Sequence, residues 1–172
     1  NNIIMNKINC SKLKMIKANK QILSTIQFDC GDNDLNEFLL KDSFKNLENS
    51  LSKIYLCLYD ETVVGFFSLS ADSIKINKKL EINYKTYPAI KIGRLAVHEH
   101  YQNMRIGSII IDWIVGLCLE LRKDIGIRFI SIDAYNHEKT INFYTKNLFE
   151  VLQYPKNKNK LTLPMYRDLC QK

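Results

Sequence analysis

An α/β fold (α+β under some schemes), with a mixed central sheet of about six or seven strands flanked by helices, is predicted by three features of the chain. Runs of β-branched and aromatic residues of strand length recur along it. Residues 106–121 carry apolar side chains at helical spacing. From residue 89 onward the order is strand, helix, strand, helix, which implies parallel pairing through right-handed crossovers. No internal repeat or Pro/Gly linker interrupts the 172 residues, so one domain over 1–172 is expected.

The elements are taken in chain order. Residues 13–17 and 22–28 each fit a short strand or an irregular lead-in, and periodicity does not separate the two. Gly31-Asp-Asn-Asp-Leu-Asn-Glu-Phe opens a helix, with Asp32 or Asp34 as N-cap and Glu37 complementing the dipole. Its apolar face runs Leu35, Phe38 and Leu39, then less regularly Leu47 and Leu51. Lys53 to Tyr59, a turn at Asp60-Glu61, and Val63 to Ser70 form a β-hairpin. Residues 74–87 make a polar connection with room for a short helical turn. Ala89 to Val97 is a strand. Ile106, Ile109, Ile110, Trp113, Ile114, Leu117, Cys118 and Leu121 then fall on one helical stripe, ending in Arg122 and Lys123 as the dipole prefers. Phe129 to Ala134 is a strand, Asn136 to Lys146 a helix, and two short strands near 149–153 and 161–167 close the chain.

Composition narrows the class. Hydrophobic residues at 46% and charged residues at 25% are those of a globular protein with a real core. Five scattered cysteines without a CxxC pair indicate free thiols, not a disulfide framework or zinc ribbon. Lysines at 7, 12, 14, 17 and 20 break up any apolar leader, and no apolar run spans a bilayer. A cytoplasmic location without membrane partners is therefore expected. The net charge of +7 favours polyanions, either nucleic acid or a phosphorylated cofactor, with one loose cluster at Lys156, Lys158 and Lys160.

The informative junction is strand 89–97, loop 98–105, helix 106–123. A loop leaving a strand and entering a helix presents free N–H groups at the positive end of the dipole, a ready phosphate site. Gly107 and Ser108 keep bulk away from the helix mouth. Such a junction also occurs for packing alone. His98-Glu99-His100 suggests a metal, but no Pro-Cys-x-x-Cys segment follows as in the zinc deaminases, so no metal is expected.

The run Ile92-Gly-Arg-Leu-Ala-Val-His-Glu-His-Tyr-Gln-Asn-Met-Arg-Ile-Gly-Ser resembles the acetyl-CoA motif of the GNAT acetyltransferases, "L-x-V…Y-(Q/R)-x-x-G-x-(G/A)". Ile132-Asp-Ala-Tyr-Asn-His-Glu-Lys-Thr-Ile-Asn-Phe-Tyr-Thr-Lys-Asn-Leu-Phe is similar to that family's second motif, and Met165-Tyr-Arg-Asp-Leu to its closing strand. The resemblance covers about residues 13–169. It implies the GNAT fold, with a splayed strand pair holding CoA, and transfer of acetyl from acetyl-CoA to a primary amine by direct attack, without a metal. Carried over residue by residue, Leu95, Ala96 and Val97 would pair with the pantetheine beside a bulge. The amides of Gln102, Asn103, Met104, Arg105, Ile106, Gly107 and Ser108 would hold the pyrophosphate. Asn136 would touch the pantetheine, and Tyr144 would contact the cofactor and donate a proton to the departing thiolate. A tyrosine of pKa about 10 can share a proton with a thiolate of pKa about 8.5.

Arg105 stands where the family has its first loop glycine, and Leu148 where its second motif has Gly. Arg105 either narrows the phosphate cradle, reducing binding without abolishing it, or adds a charge to the cradle. These departures sustain an alternative, a CoA-binding module without turnover. Phe28-Asp-Cys-Gly-Asp-Asn-Asp-Leu-Asn-Glu-Phe-Leu resembles the opening of the GNAT branch that contains acetyltransferase toxins of toxin–antitoxin pairs. That branch implies aminoacyl-tRNA as acceptor and a ribbon–helix–helix antitoxin as partner. A protein, peptide or small-molecule amine is the alternative acceptor, and monomer and homodimer stay open. A lysine or polyamine acceptor would call for a base, for which Asp72, Glu99 or a water held by Ser70 are the candidates.

Overall fold

The computed structural model describes residues 8–152 and 160–171; Lys7, Lys156 and Lys158 lie outside them. Seven strands form one mixed sheet in the order β1-β2-β3-β4-β5-β7-β6. They are β1 (Leu13–Lys17), β2 (Lys53–Tyr59), β3 (Thr62–Ile74), β4 (Tyr87–Val97), β5 (Phe129–Tyr135), β6 (Glu150–Val151) and β7 (Thr162–Asp168). The helices are α1 (Lys20–Leu23), α2 (Asn33–Glu37), α3 (Ser43–Glu48), α4 (Ile106–Leu121) and α5 (Glu138–Lys146). The expected parallel step is present, with β4 beside β5 in the register Ala89–Phe129 to Ile92–Ile132. β7 pairs antiparallel with β5 over its whole length, from Phe129–Asp168 to Tyr135–Thr162.

The chain divides into two compact units. The first comprises residues 1–68 and 94–110, the second 69–93 and 111–172. β3, β4 and α4 each contribute residues to both.

In the first unit the open reading of 13–17 resolves as a strand, antiparallel to β2. Residues 22–28 enclose only the end of α1 and an irregular stretch. Asp32 is the N-cap of α2, its side chain accepting the Leu35 N–H. α2 runs without a break through a π turn, Phe38–Asp42, into α3. The extra residue of the π turn explains why the apolar spacing loses regularity after Leu39. Leu51 falls beyond the helix and is 64% exposed. The core here gathers Leu39, Ile54, Leu56 and Phe66, all fully buried, with Phe28 edge-on to Phe66 at 5.4 Å. Gly65 permits close packing: a Cβ there would stand 3.1 Å from Ala96 O and from Ile110 Cδ1.

In the second unit Ile74, Tyr87, Ala89, Phe129 and Tyr166 form the core, with Ile76 and Leu80 packed on it. The connection 75–86 contains bends and no helical turn. It is held instead by Tyr87, whose hydroxyl donates to Ile82 O and accepts from Tyr84 N–H, both at 3.0 Å. Arg122, just past α4, donates to Leu169 O at 3.0 Å. That bond ties the end of α4 to the C-terminal segment, and no basic residue lies within the last turn of α4 itself.

Candidate active site

The first unit carries the loop between β4 and α4. Pairing of β4 with β5 ends at Ile92–Ile132. Two residues on, the Arg94 N–H donates to the buried Ser68 Oγ at 2.9 Å. A strand amide is thus spent on a side chain, and the buried positions of β4 switch from Tyr87 and Ala89 to Ile92 and Ala96. Leu95, Ala96 and Val97 follow directly. Ala96 is buried while Leu95 and Val97 are half-buried.

After β4 comes a 3₁₀ turn, Glu99–Tyr101, capped by His98 Nδ1 accepting the His100 N–H at 3.2 Å. The His98 ring lies edge-on to Phe28 at 5.8 Å. Among the described residues no group of three His, Cys, Asp or Glu is arranged to hold a metal. The loop then turns through two left-handed residues, Asn103 at φ 63° and Arg105 at φ 66°. The first α-helical bond of α4 runs from Ile109 N–H to Arg105 O at 3.1 Å. The amides of Ile106 and Gly107 precede that bond and have no partner four residues back, so they are oriented as anion donors on the helix dipole.

Arg105 thus sits in the left-handed region that favours glycine, and its side chain is exposed. Leu148 sits there too, at φ 66°, with a side chain 64% exposed. Both positions thus hold a conformation that glycine adopts more readily. A non-glycine residue in this well carries about 1 kcal/mol of strain.

The second unit carries Tyr144. Helix α5 ends in a Schellman motif: Phe149 N–H donates to Tyr144 O at 3.0 Å and Leu148 N–H to Thr145 O at 3.1 Å. The apolar contact that accompanies the motif is Tyr144 on Phe149, edge-on at 5.4 Å. Tyr144 also packs on Phe143 at 5.0 Å and is 5% exposed. Its hydroxyl pKa is pushed well above the usual tyrosine range by burial alone, so the group is an O–H donor throughout the neutral range. We expect Leu148→Gly to raise stability by about 1 kcal/mol and Leu148→Val to lower it by about as much. Denaturant unfolding of the pair checks this, and shifts of the same sign would contradict the strain at this position.

Asn136 is half-buried and largely committed: its Nδ2 donates to Lys160 O at 3.0 Å and its N–H to Leu161 O at 2.8 Å. Of the candidate bases, Asp72 accepts from the buried Ser131 Oγ at 2.5 Å and from Ser73 N–H at 2.8 Å. Glu99 is exposed, 3.7 Å from His100. Sequence reasoning missed two side chains of the first unit: Gln102, which bonds a backbone carbonyl 72 residues earlier, and Asn36, which bonds the Cys30 N–H six residues before it; only the turn-forming Asp-x-Gly pattern at Asp29 hinted at a built loop there.

Residues 20–148 match the model of the acetyltransferase (GNAT) family, and the chain belongs to that family of enzymes. A tRNA-acetylating toxin of Mycobacterium tuberculosis is 27% identical over 131 residues, covering 72% of this chain and 76% of the toxin. A crystal structure of a bacterial toxin superposes with a TM-score of 0.80 at 18% identity, over 91% of this chain and 90% of that one. The toxin AtaT complexed with acetyl-methionyl-tRNAfMet superposes at 0.72 with 23% identity, over 88% and 94%. A mutant AtaT bound to the C-terminus of the antitoxin AtaR and acetyl-CoA superposes at 0.71 with 19% identity, over 92% and 94%. These structures share the fold. Among the described residues no helix is long and apolar enough to cross a membrane.

Proposed function

We propose that this acetyltransferase moves the acetyl group of acetyl-CoA to the α-amino group of an aminoacyl-tRNA, as one GNAT domain over residues 1–172, in the cytoplasm, with a ribbon–helix–helix antitoxin as partner. The observation that carries the cofactor half is the left-handed loop at Asn103 and Arg105, opening onto the first amides of α4. The tRNA and antitoxin halves draw support from the relatives, one named as tRNA-acetylating and others seen with acetyl-methionyl-tRNA or an antitoxin. The net charge of +7 agrees with a polyanionic substrate.

In this reading the amides of Gln102 through Ser108 hold the pyrophosphate, and Leu95 to Val97 and Asn136 meet the pantetheine arm. Acetyl-CoA supplies a thioester, already activated toward an amine. The chain aligns the two reactants, and Tyr144 donates its O–H to the sulfur as the bond to it breaks. An α-amino group of pKa about 8 is partly neutral at pH 7, so no strong base is required. That suits a chain whose Asp72 is already committed to Ser131.

Thiol release from acetyl-CoA with a panel of amines tests the reading. Turnover is expected with charged tRNA and not with uncharged tRNA; turnover only with free lysine, polyamines or peptides would replace the acceptor. Because the Arg105 side chain is exposed, the added charge is the alternative favoured here over a narrowed cradle. Arg105→Gly is therefore expected to weaken acetyl-CoA binding about threefold at low salt, and less as salt is raised. Calorimetry reads this directly, and tighter binding by the glycine variant would restore the narrowing.

A further inference from the structure

Gln102 opens the phosphate loop, and its side chain is occupied within the protein. Nε2 donates to Cys30 O at 2.9 Å and to Val97 O at 3.0 Å, joining the end of β4 to a segment 72 residues earlier. That segment is a closed polar knot. Asp29 Oδ1 accepts from Gly31 N–H at 2.8 Å and from Asn36 Nδ2 at 2.9 Å. Asn36 Oδ1 in turn accepts from Cys30 N–H at 3.0 Å. Gly31, at φ 81°, makes the turn, and Glu99 N–H donates to Asp29 O at 2.9 Å. The knot is therefore fixed to the loop at both Glu99 and Gln102.

The loop needs such a tether. Asn103 and Arg105 both sit in the left-handed well, and strained residues persist only where their surroundings over-determine them. One end is set by α4, where Ile106 is 1% exposed. The other end is set by Gln102. Building on the cofactor role proposed for residues 102–108, we propose that Gln102 is a positioning residue for acetyl-CoA: its side chain latches the Phe28–Asn36 knot to the phosphate loop and holds the loop amides in their binding arrangement. The knot then serves cofactor affinity and is not part of the acceptor site.

The test is calorimetry with acetyl-CoA on the full chain, together with steady-state kinetics. Absence of binding by the wild type would overturn the cofactor role itself, independently of any variant. Given wild-type binding, Gln102→Met removes both donors at nearly constant length and is expected to raise Kd and KM for acetyl-CoA about tenfold. kcat and the KM for the amine stay within about twofold. Gln102→Arg, which again offers N–H donors, brings the affinity back to within about threefold. Asn36→Ala, which does not touch the loop, shifts acetyl-CoA affinity in the same direction, and it keeps the test available if Gln102→Met fails to fold. The double variant loses less than the two singles together. Unchanged affinity in both single variants, a loss confined to kcat, or an arginine variant as weak as the methionine one overturns the latch.

Discussion

Tyr144→Phe is expected to lower kcat for acetyl transfer by about 10²–10³ while leaving stability nearly unchanged. The phenyl ring keeps the contacts with Phe143 and Phe149 at the end of α5; only the hydroxyl proposed as proton donor goes. A tyrosine kept for packing would behave otherwise, since its phenylalanine variant would retain full turnover, and steady-state kinetics beside a denaturant curve separates the cases. The pH profile adds a second reading. The donor is the protonated form, and burial raises its pKa, so wild-type kcat is expected to show no downturn near pH 10. Burial also lifts the two core thiols, Cys57 to about 12 and Cys118 to about 11. A leaving thiolate in equally dry surroundings is raised in the same sense, which keeps it a competent proton acceptor from Tyr144.

Those same thiols predict alkaline unfolding. Their folded pKa values lie above the ordinary 9.0 because burial penalises the thiolate, and both side chains are fully buried. The unfolded chain therefore binds fewer protons than the folded chain once pH exceeds about 9. Stability is fully present below that point and is lost as pH rises toward the folded values. The slope approaches about 1.4 kcal/mol per pH unit for each thiol, an upper bound. Urea unfolding at about pH 8, 9 and 10 in reductant should show the fall begin near pH 9. A Cys57→Ala, Cys118→Ala double variant, less stable at neutral pH, should fall much less steeply. A wild type whose stability is flat to pH 10.5 would exclude this cause.

The later strands, α4 and α5 were legible in their apolar patterns, whereas periodicity left β1 open; the place of Tyr144 on α5 was legible because its motif sits on a readable helix. Asp32 could be narrowed to one of two caps from its position before Leu35. The left-handed residues were a different matter. Glycine signals positive φ, whereas arginine and leucine do not, so the left-handed backbone at Arg105 and Leu148 could not be read from their identities. The side-chain bond of Gln102, a residue named only for its backbone amide, escaped because a side-chain amide that bonds a carbonyl 72 residues away leaves no local pattern. Asn136 was assigned to a ligand from its motif, although its amide nitrogen closes the return to β7. The connection 75–86 has helix-compatible composition but takes its shape from the Tyr87 hydroxyl, a tertiary constraint that no local propensity expresses.

The π turn at Phe38–Asp42 has a mechanical meaning beyond its effect on spacing. A π turn holds one residue more than the α-helix around it, so the helical segments on its two sides are out of phase by about 100°. Asn36 lies before it and is aimed at the Cys30 turn; Phe44 and Leu47 lie after it and are aimed at the core. A continuous α-helix would satisfy one of these faces and rotate the other away. The surplus residue lets a single rod serve two masters whose demands on its rotation differ.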